Sequence, residues 1–387
     1  MLTAALLAWP GDSPLVPRHG GHPRGDALWS WLFLAAAGLA LAAYVVGGAL
    51  VRRRRVALAA VAAVAAAVQL APLAGPLLLS TDAWLYWDYG RLAAIHDANP
   101  YRAVPADQPE DPAFAHTGTS WRRTSSIYGP VFTLASEPVA RAAGRSEDTA
   151  AWIYKALAGL AMLIATFAVS RVAADRVFAC AFVGWNPVVA LHAAGGGHND
   201  AWMAALLVGA LALAASGRRQ AAGASWAAAI LVKWVPLLLL PLHLLGAGRR
   251  RAGVAGLLLA GLVLGALSTW RYELAWLDAL EPVARKAGEQ TSYAVPSRLA
   301  QLGVPRELAA GALAAGFAVA YALLLREAMR GRARLALTAT LLLLATPWLV
   351  VWYLAWPVAL AAAEEDRTAQ WLTVALAAYL LPQAVPL

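Results

Sequence analysis

Apolar runs of about twenty residues recur along this chain with arginines set between them, the pattern expected of helices that cross a bilayer. Runs near that length fall at about Leu28–Val51, Val56–Leu79, Thr149–Ser170, Val177–Ala194, Asp200–Ala215, Ala252–Trp270, Arg306–Arg326 and Thr368–Pro386. Two more apolar stretches, Gln220–Ala247 and Leu335–Ala363, have charged residues at both ends. Each is too short for two full spans at about 1.5 Å per residue, so each reads as a hairpin of two short helices. Composition agrees: 61% of residues are hydrophobic and 14% charged, against about half and a quarter in soluble domains. The expected fold is all-α, a polytopic transmembrane bundle of roughly ten to twelve membrane segments with two short-helix hairpins.

Arginine placement predicts sidedness, because cytoplasmic loops are enriched in Lys and Arg. With Arg52–Arg55 inside, the alternation puts residues 80–148 outside, Arg171 and Arg176 inside, and Gly195–Asp200 outside. Arg218, Arg219 and Arg249–Arg251 fall inside, so Lys233 comes near the outer tip of the first hairpin. Residues 270–305 are then outside, Arg326–Arg334 inside, and Trp348 and Tyr353 near the outer tip of the second hairpin. Residues 1–27 read as an external tail and 28–387 as one membrane domain in the cell membrane. Every unusual polar cluster lands on the external face.

The formal charge of +9 suggests nucleic acid only when the basic residues form a patch with an aromatic module, and here they punctuate apolar runs. One cysteine, Cys180, excludes an internal disulfide and a multi-thiolate metal site. Charges gathered at one face, with no inverted repeat, favour an enzyme over the rival reading of a lipid or sugar transporter.

Between Ser80 and Pro130 the apolar monotony stops: Asp82, Trp84, Tyr86, Trp87, Asp88 and Tyr89 follow one another closely. The run Val56–Leu79 is expected to deliver the chain as one helix into Asp82, placing this carboxylate at a helix C-terminus and a membrane–water boundary. The helix dipole opposes an acid there, and an aromatic pocket raises its pKa toward the range of a general base. Asp88 is a second-rank acid. Gly195-Gly196-Gly197-His198-Asn199-Asp200 combines a glycine turn, a cap for the following helix and a titratable imidazole. Asp82, His198 and Asp200 leave a divalent-cation site open as an alternative, with no cofactor otherwise indicated. Lys233 lies inside an apolar stretch, where a lysine costs about 2.5–3.5 kcal/mol on insertion scales; it either snorkels to headgroups or pairs with a lipid phosphate. Arg122 and Arg298 are further phosphate candidates. Tyr128, Trp348, Trp352 and Tyr353 are suited to stacking on a sugar or anchoring at the interface. Tyr128–Ala143, interrupted by Glu137-Pro138, reads as an interfacial helix.

Taken together, Asp82, Asn99-Pro100-Tyr101, Ser126-Ile127-Tyr128-Gly129-Pro130, Asn186-Pro187, Gly195–Ala201, Lys233 and Pro347-Trp348 resemble the polyprenol-phosphomannose-dependent α-1,6-mannosyltransferases of actinobacteria, of the GT-C class of integral membrane glycosyltransferases. That resemblance implies a mannosyl phosphopolyprenol donor, a glycan or glycolipid acceptor, transfer on the outer face and inversion at the anomeric carbon. It implies Asp82 as general base, His198, Asn199 and Asp200 in the donor or acceptor pocket, and Lys233 near the phosphate. A neighbouring alternative keeps the enzyme class and changes the donor sugar.

Overall fold

The computed structural model describes residues 1–18, 25–246 and 252–387, without the side chains of 252, 286 and 287. Arg249–Arg251, part of the sidedness argument, lie outside the described residues. Among the described residues there are eighteen α-helices and no strand. Helix α1 (Leu2–Leu6) buries Ala4 and Ala5 and packs on α2 (Ala27–Arg53) and on a short 3₁₀ turn at Ala71–Ala74. Helix α3 (Leu58–Leu70) runs into that turn. The chain continues through α4 (Asp82–Ala94), α5 (Pro130–Ala143) and α6 (Glu147–Val172). Next come α7 (Arg176–Gly184), α8 (Pro187–Ala193) and α9 (Asp200–Ala215).

The first hairpin is α10 (Arg219–Val232) with α11 (Pro236–Gly246). Helix α12 (Ala252–Tyr272) leads to the short helices α13 (Leu280–Gly288) and α14 (Val295–Gln301), then to α15 (Arg306–Met329). The second hairpin is α16 (Leu335–Ala345) with α17 (Ala355–Ala363), and α18 (Arg367–Leu380) closes the bundle.

Each of the two bracketed stretches folds as two short helices with a break between them. Four helices, α2, α6, α12 and α15, are long and apolar enough to cross a membrane, and a fifth span arises if α7 and α8, bent by 53°, are taken as one. The remaining apolar runs fold as shorter helices. Local chemistry sets several of the ends. Ser146 caps α6 by accepting from Thr149 N at 3.2 Å, with Glu147 and Asp148 in the favourable first turn. Asn186 accepts from Val188 N and Val189 N at 3.1 Å, and Pro187 occupies the first position of α8, which fixes the α7–α8 bend.

Burial sorts the spans. The most apolar part of α6 is 61% buried, whereas those of α12 and α15 are each 11% buried, leaving their leucines on the outside of the bundle. Helix α6 packs against α4, α5, α7, α9 and α17 and is the post around which the polar residues gather.

One expectation is corrected. Val56–Leu79 is not one helix: Pro72, Gly75 and Pro76 end it, and Leu79 takes a positive φ of 62°. Asp82 is therefore the first residue of α4 rather than the last of a preceding helix, where the dipole favours a carboxylate. Helix α5 continues through Pro138. Glu137 there is buried and accepts from Arg271 Nε at 2.9 Å and Tyr272 Oη at 2.7 Å, which ties α5 to α12.

Candidate active site

The segment entering α4 is held from two sides. Lys155 of α6, 1% exposed, donates to the carbonyls of Gly75 and Pro76, the latter at 2.9 Å. Leu78 N donates to Gly195 O at 3.0 Å, which joins this segment to the glycine turn. Gly197 has φ +72°, and a Cβ there would press on Ala83 and Tyr154 at 3.2 Å, so the turn sits tightly on α4 and α6. Asp82 and His198 are brought together in this way: His198 Nε2 lies 3.7 Å from Asp82 Oδ2.

His198 is fixed further by its neighbours. Nδ1 donates to the His192 carbonyl at 2.6 Å, which leaves Nε2 as the unprotonated nitrogen facing Asp82. The ring stacks on Trp352 with centroids 3.9 Å apart and planes 17° apart. Burial holds this imidazole well below the usual range, so it is neutral. Burial also pushes the Asp82 carboxyl up to about 6, against the opposing pull of the Lys233 charge and a hydrogen bond with Ser80. Tyr86 Oη approaches Asp82 Oδ2 at 3.5 Å.

Asn199 sits at the N-cap position of α9 without capping it; its Oδ1 instead accepts from Lys233 Nζ at 3.4 Å. Asp200 is buried and receives Lys233 Nζ on Oδ2 at 2.6 Å and Trp356 Nε1 on Oδ1 at 3.2 Å. Lys233 ends α10 in an extended conformation, with its ammonium 4.9 Å from the centre of the Tyr353 ring. The Tyr128-Gly129-Pro130 turn docks on this hairpin tip. Gly129 N donates to Val232 O at 3.1 Å, and a Cβ on Gly129 would lie 2.1 Å from Leu231 O. Only glycine lets Tyr128 come so close.

These elements enclose a cavity of about 370 Å³, within the range of small-molecule sites. Asp82, Tyr128, Lys233, Trp348 and Tyr353 line it, together with Trp121 and Trp356. Leu342, Leu343 and Val350 of the second hairpin give it an apolar side. That hairpin's tip is held by residues of the preceding loop: Thr291 N donates to Pro347 O at 3.0 Å, and Leu349 N to Thr291 Oγ1 at 3.2 Å. His198, Asn199 and Asp200 form the wall behind Asp82 and Lys233. His198 Nε2 and the Asn199 amide nitrogen are buried with no hydrogen-bond partner among the described residues.

The other candidates lie elsewhere. Asp88 accepts from Thr117 Oγ1 at 2.6 Å under the loop, where burial pushes its carboxyl up to about 7. Arg122 donates to the Thr117 and Ala115 carbonyls and covers Phe114. Arg298 donates to Tyr379 Oη, Gln301 Oε1 and Gln383 Oε1, which fastens α14 to the C-terminal segment. No group of three or more His, Cys, Asp or Glu side chains among the described residues is arranged to hold a metal ion, and Asp200 is committed to Lys233 and Trp356. The sequence reading missed His192 and Trp356. Nothing in the pattern marks His192, whereas a tryptophan in an otherwise apolar helix needs a partner for its N–H when buried.

An all-helical membrane protein with an aromatic-lined cavity holding a carboxylate and a lysine is the class this geometry defines. The family described as alpha-(1->6)-mannopyranosyltransferase, N-terminal domain, matches residues 6–249. The chain belongs to that family. It is 27% identical over 169 residues to alpha-(1->6)-mannopyranosyltransferase A of Corynebacterium glutamicum, covering 42% of this chain and 34% of the relative. It is 29% identical over 179 residues to the protein of the same name from Mycobacterium tuberculosis, covering 43% and 34%. The chain thus spans about a third of the length of the curated relatives it matches. No solved structure matches it significantly.

Proposed function

We propose that this chain transfers mannose from a polyprenyl-phosphate-mannose donor to a glycan or glycolipid acceptor, forming an α-1,6 linkage with inversion on the external face of the cell membrane. The reading includes the shorter apolar helices as further membrane segments, up to the roughly ten to twelve suggested by run length. The observation that carries it is Asp82, a buried carboxylate raised to about 6 and sharing one cavity with Lys233.

Inverting transfer needs a base on the face of the sugar opposite the leaving group. Asp82 takes the proton of the acceptor hydroxyl as its oxygen bonds to the anomeric carbon. The bond to phosphate breaks, and its electron pair leaves with the phosphate. The lone pair of neutral His198 Nε2, 3.7 Å from Asp82 Oδ2, favours the protonated form that Asp82 takes up. Lys233, held by Asp200 and Asn199, offsets the charge that grows on the departing phosphate. The aromatic walls exclude water that would otherwise compete with the acceptor hydroxyl.

The test is incubation of the purified full-length chain with radiolabelled polyprenyl-phosphate mannose and a mannoside acceptor, with the glucose and arabinose donors as controls. Label transferred from the mannose donor alone supports the reading. Transfer from another donor moves the chain to the neighbouring class, and transfer from none removes the assignment.

A further inference from the structure

On other elements of the bundle there is a separate recess whose charged lining residues are both arginines. It lies between α2, α7 and α18, holds about 290 Å³, and is walled mainly by apolar side chains such as Phe178, Phe182 and Trp371. A Cβ on Gly48 would meet only the Phe178 ring, at 3.8 Å, so small residues of α2 leave its floor open. Trp371 at its rim is 68% exposed. None of these three helices lines the Asp82 cavity.

Arg52 and Arg53 stand at one end of this groove. Arg52 is held in place: Nη2 donates to Gln370 Oε1 at 2.7 Å, and the guanidinium lies 3.7 Å from the centre of the Phe178 ring. Arg53, Arg54 and Arg55 are exposed and make no ion pair among the described residues. The acids at the start of α18 are engaged elsewhere. Glu364 accepts from Leu335 N and Ala336 N, Glu365 from Ala174 N and Asp175 N, and Asp366 pairs with Arg334 at 2.8 Å. Arg52 to Arg55 therefore lie at the end of a largely exposed helix and form no ion pair among the described residues. Basic residues so placed at the cytoplasmic end of a span attract anionic headgroups.

We propose that this groove binds an anionic phospholipid of the cytoplasmic leaflet, with its acyl chain along the Gly48–Phe178–Trp371 surface and its phosphate on Arg52 and Arg53. Apolar walls and unmatched cations meet in one recess, which suits a molecule carrying an acyl chain and an anion at fixed separation. A free phosphate would use only the rim, and a zwitterionic lipid only part of it. The proposal rests on the groove and on the sidedness read from the arginines, and not on the reaction assigned to Asp82.

The test uses the full chain in detergent, with bound lipid counted by native mass spectrometry after addition of phosphatidylglycerol or phosphatidylcholine with identical acyl chains. Phosphatidylglycerol is expected to be retained at least about tenfold more than phosphatidylcholine, as expected where two phosphate-facing charges are matched. The double variant Arg52→Gln/Arg53→Gln brings the two lipids to parity, whereas Arg52→Lys/Arg53→Lys keeps the preference. Gly48→Leu, which fills the floor, lowers retention of both lipids. Glycerol phosphate, which has no acyl chain, fails to displace the bound lipid. Equal retention of the two lipids by the wild-type chain overturns the proposal, as does an unchanged preference in the glutamine variant. Displacement by glycerol phosphate also overturns it, showing a simple anion site. Thermal melting of each variant confirms that the chain compared is folded.

Discussion

Two ion pairs of nearly equal length show how differently this protein uses charge. In the cavity wall Lys233 meets Asp200 at 2.6 Å, with side-chain exposures of 14% and 1%. On the loop surface Arg102 meets Glu273 at 2.7 Å, with exposures of 61% and 69%. The first pair is tied into Asn199, Trp356 and the Tyr353 ring, whereas the second is open to solvent and salt. Coulombic attraction is similar in geometry and very different in consequence, because water screens one pair and is largely absent from the other. A short N–O distance therefore says little about function until burial is known.

Removing Lys233 is the strongest way to press this contrast. Lys233→Met leaves the Asp200 carboxylate uncompensated and is expected to cost about 3–5 kcal/mol of stability, read as a fall in melting temperature. Adding Asp200→Asn should recover much of that stability but not transfer, which separates the ammonium's structural part from its part at the phosphate. Full recovery of transfer in the double variant would reduce Lys233 to a packing element.

A smaller effect concerns pH. Asp82 works as a base only when ionised, and burial raises its carboxyl to about 6. The rate should thus fall about tenfold for each pH unit below that value. The Lys233 charge pulls the carboxyl down by more than the Asp200 charge pushes it up, so the acid limb should move to higher pH in any Lys233→Met/Asp200→Asn protein that retains measurable turnover. An acid limb near 4 in the wild-type chain would mean that Asp82 is solvated in the working enzyme. The smallest effect belongs to the surface: Arg102→Ala should change stability by no more than about 1 kcal/mol, with any change fading as salt is raised.

Much of the plan could be read from the residues. Arginine spacing delimited the two stretches that fold as pairs of short helices, with the break at Lys233 in one and around Pro347-Trp348 in the other. The polar clusters that the alternation assigned to one face, around Asp82, His198 and Lys233, converge on one cavity wall. The start of α4 was misread because Val56–Leu79 stays apolar throughout, while Pro72, Gly75 and Pro76 stop the helix without changing hydropathy. Nor does apolarity distinguish α6 from α12 and α15, which differ in burial rather than in span length or composition. Arginines were the least legible. Arg122 and Arg298 look like free phosphate ligands in the sequence, but loop carbonyls and distant side chains use their donors. Partners as far apart as Trp356 and Asp200, 156 residues, leave no periodic mark.

The most direct measurement is transfer by Asp82→Asn, with donor binding followed in parallel on the same folded protein. A loss of about 10²–10⁴-fold in turnover with donor affinity retained is the result expected of a base that acts only on the acceptor's proton. Turnover within a few-fold of wild type would contradict it and send the search for the base elsewhere.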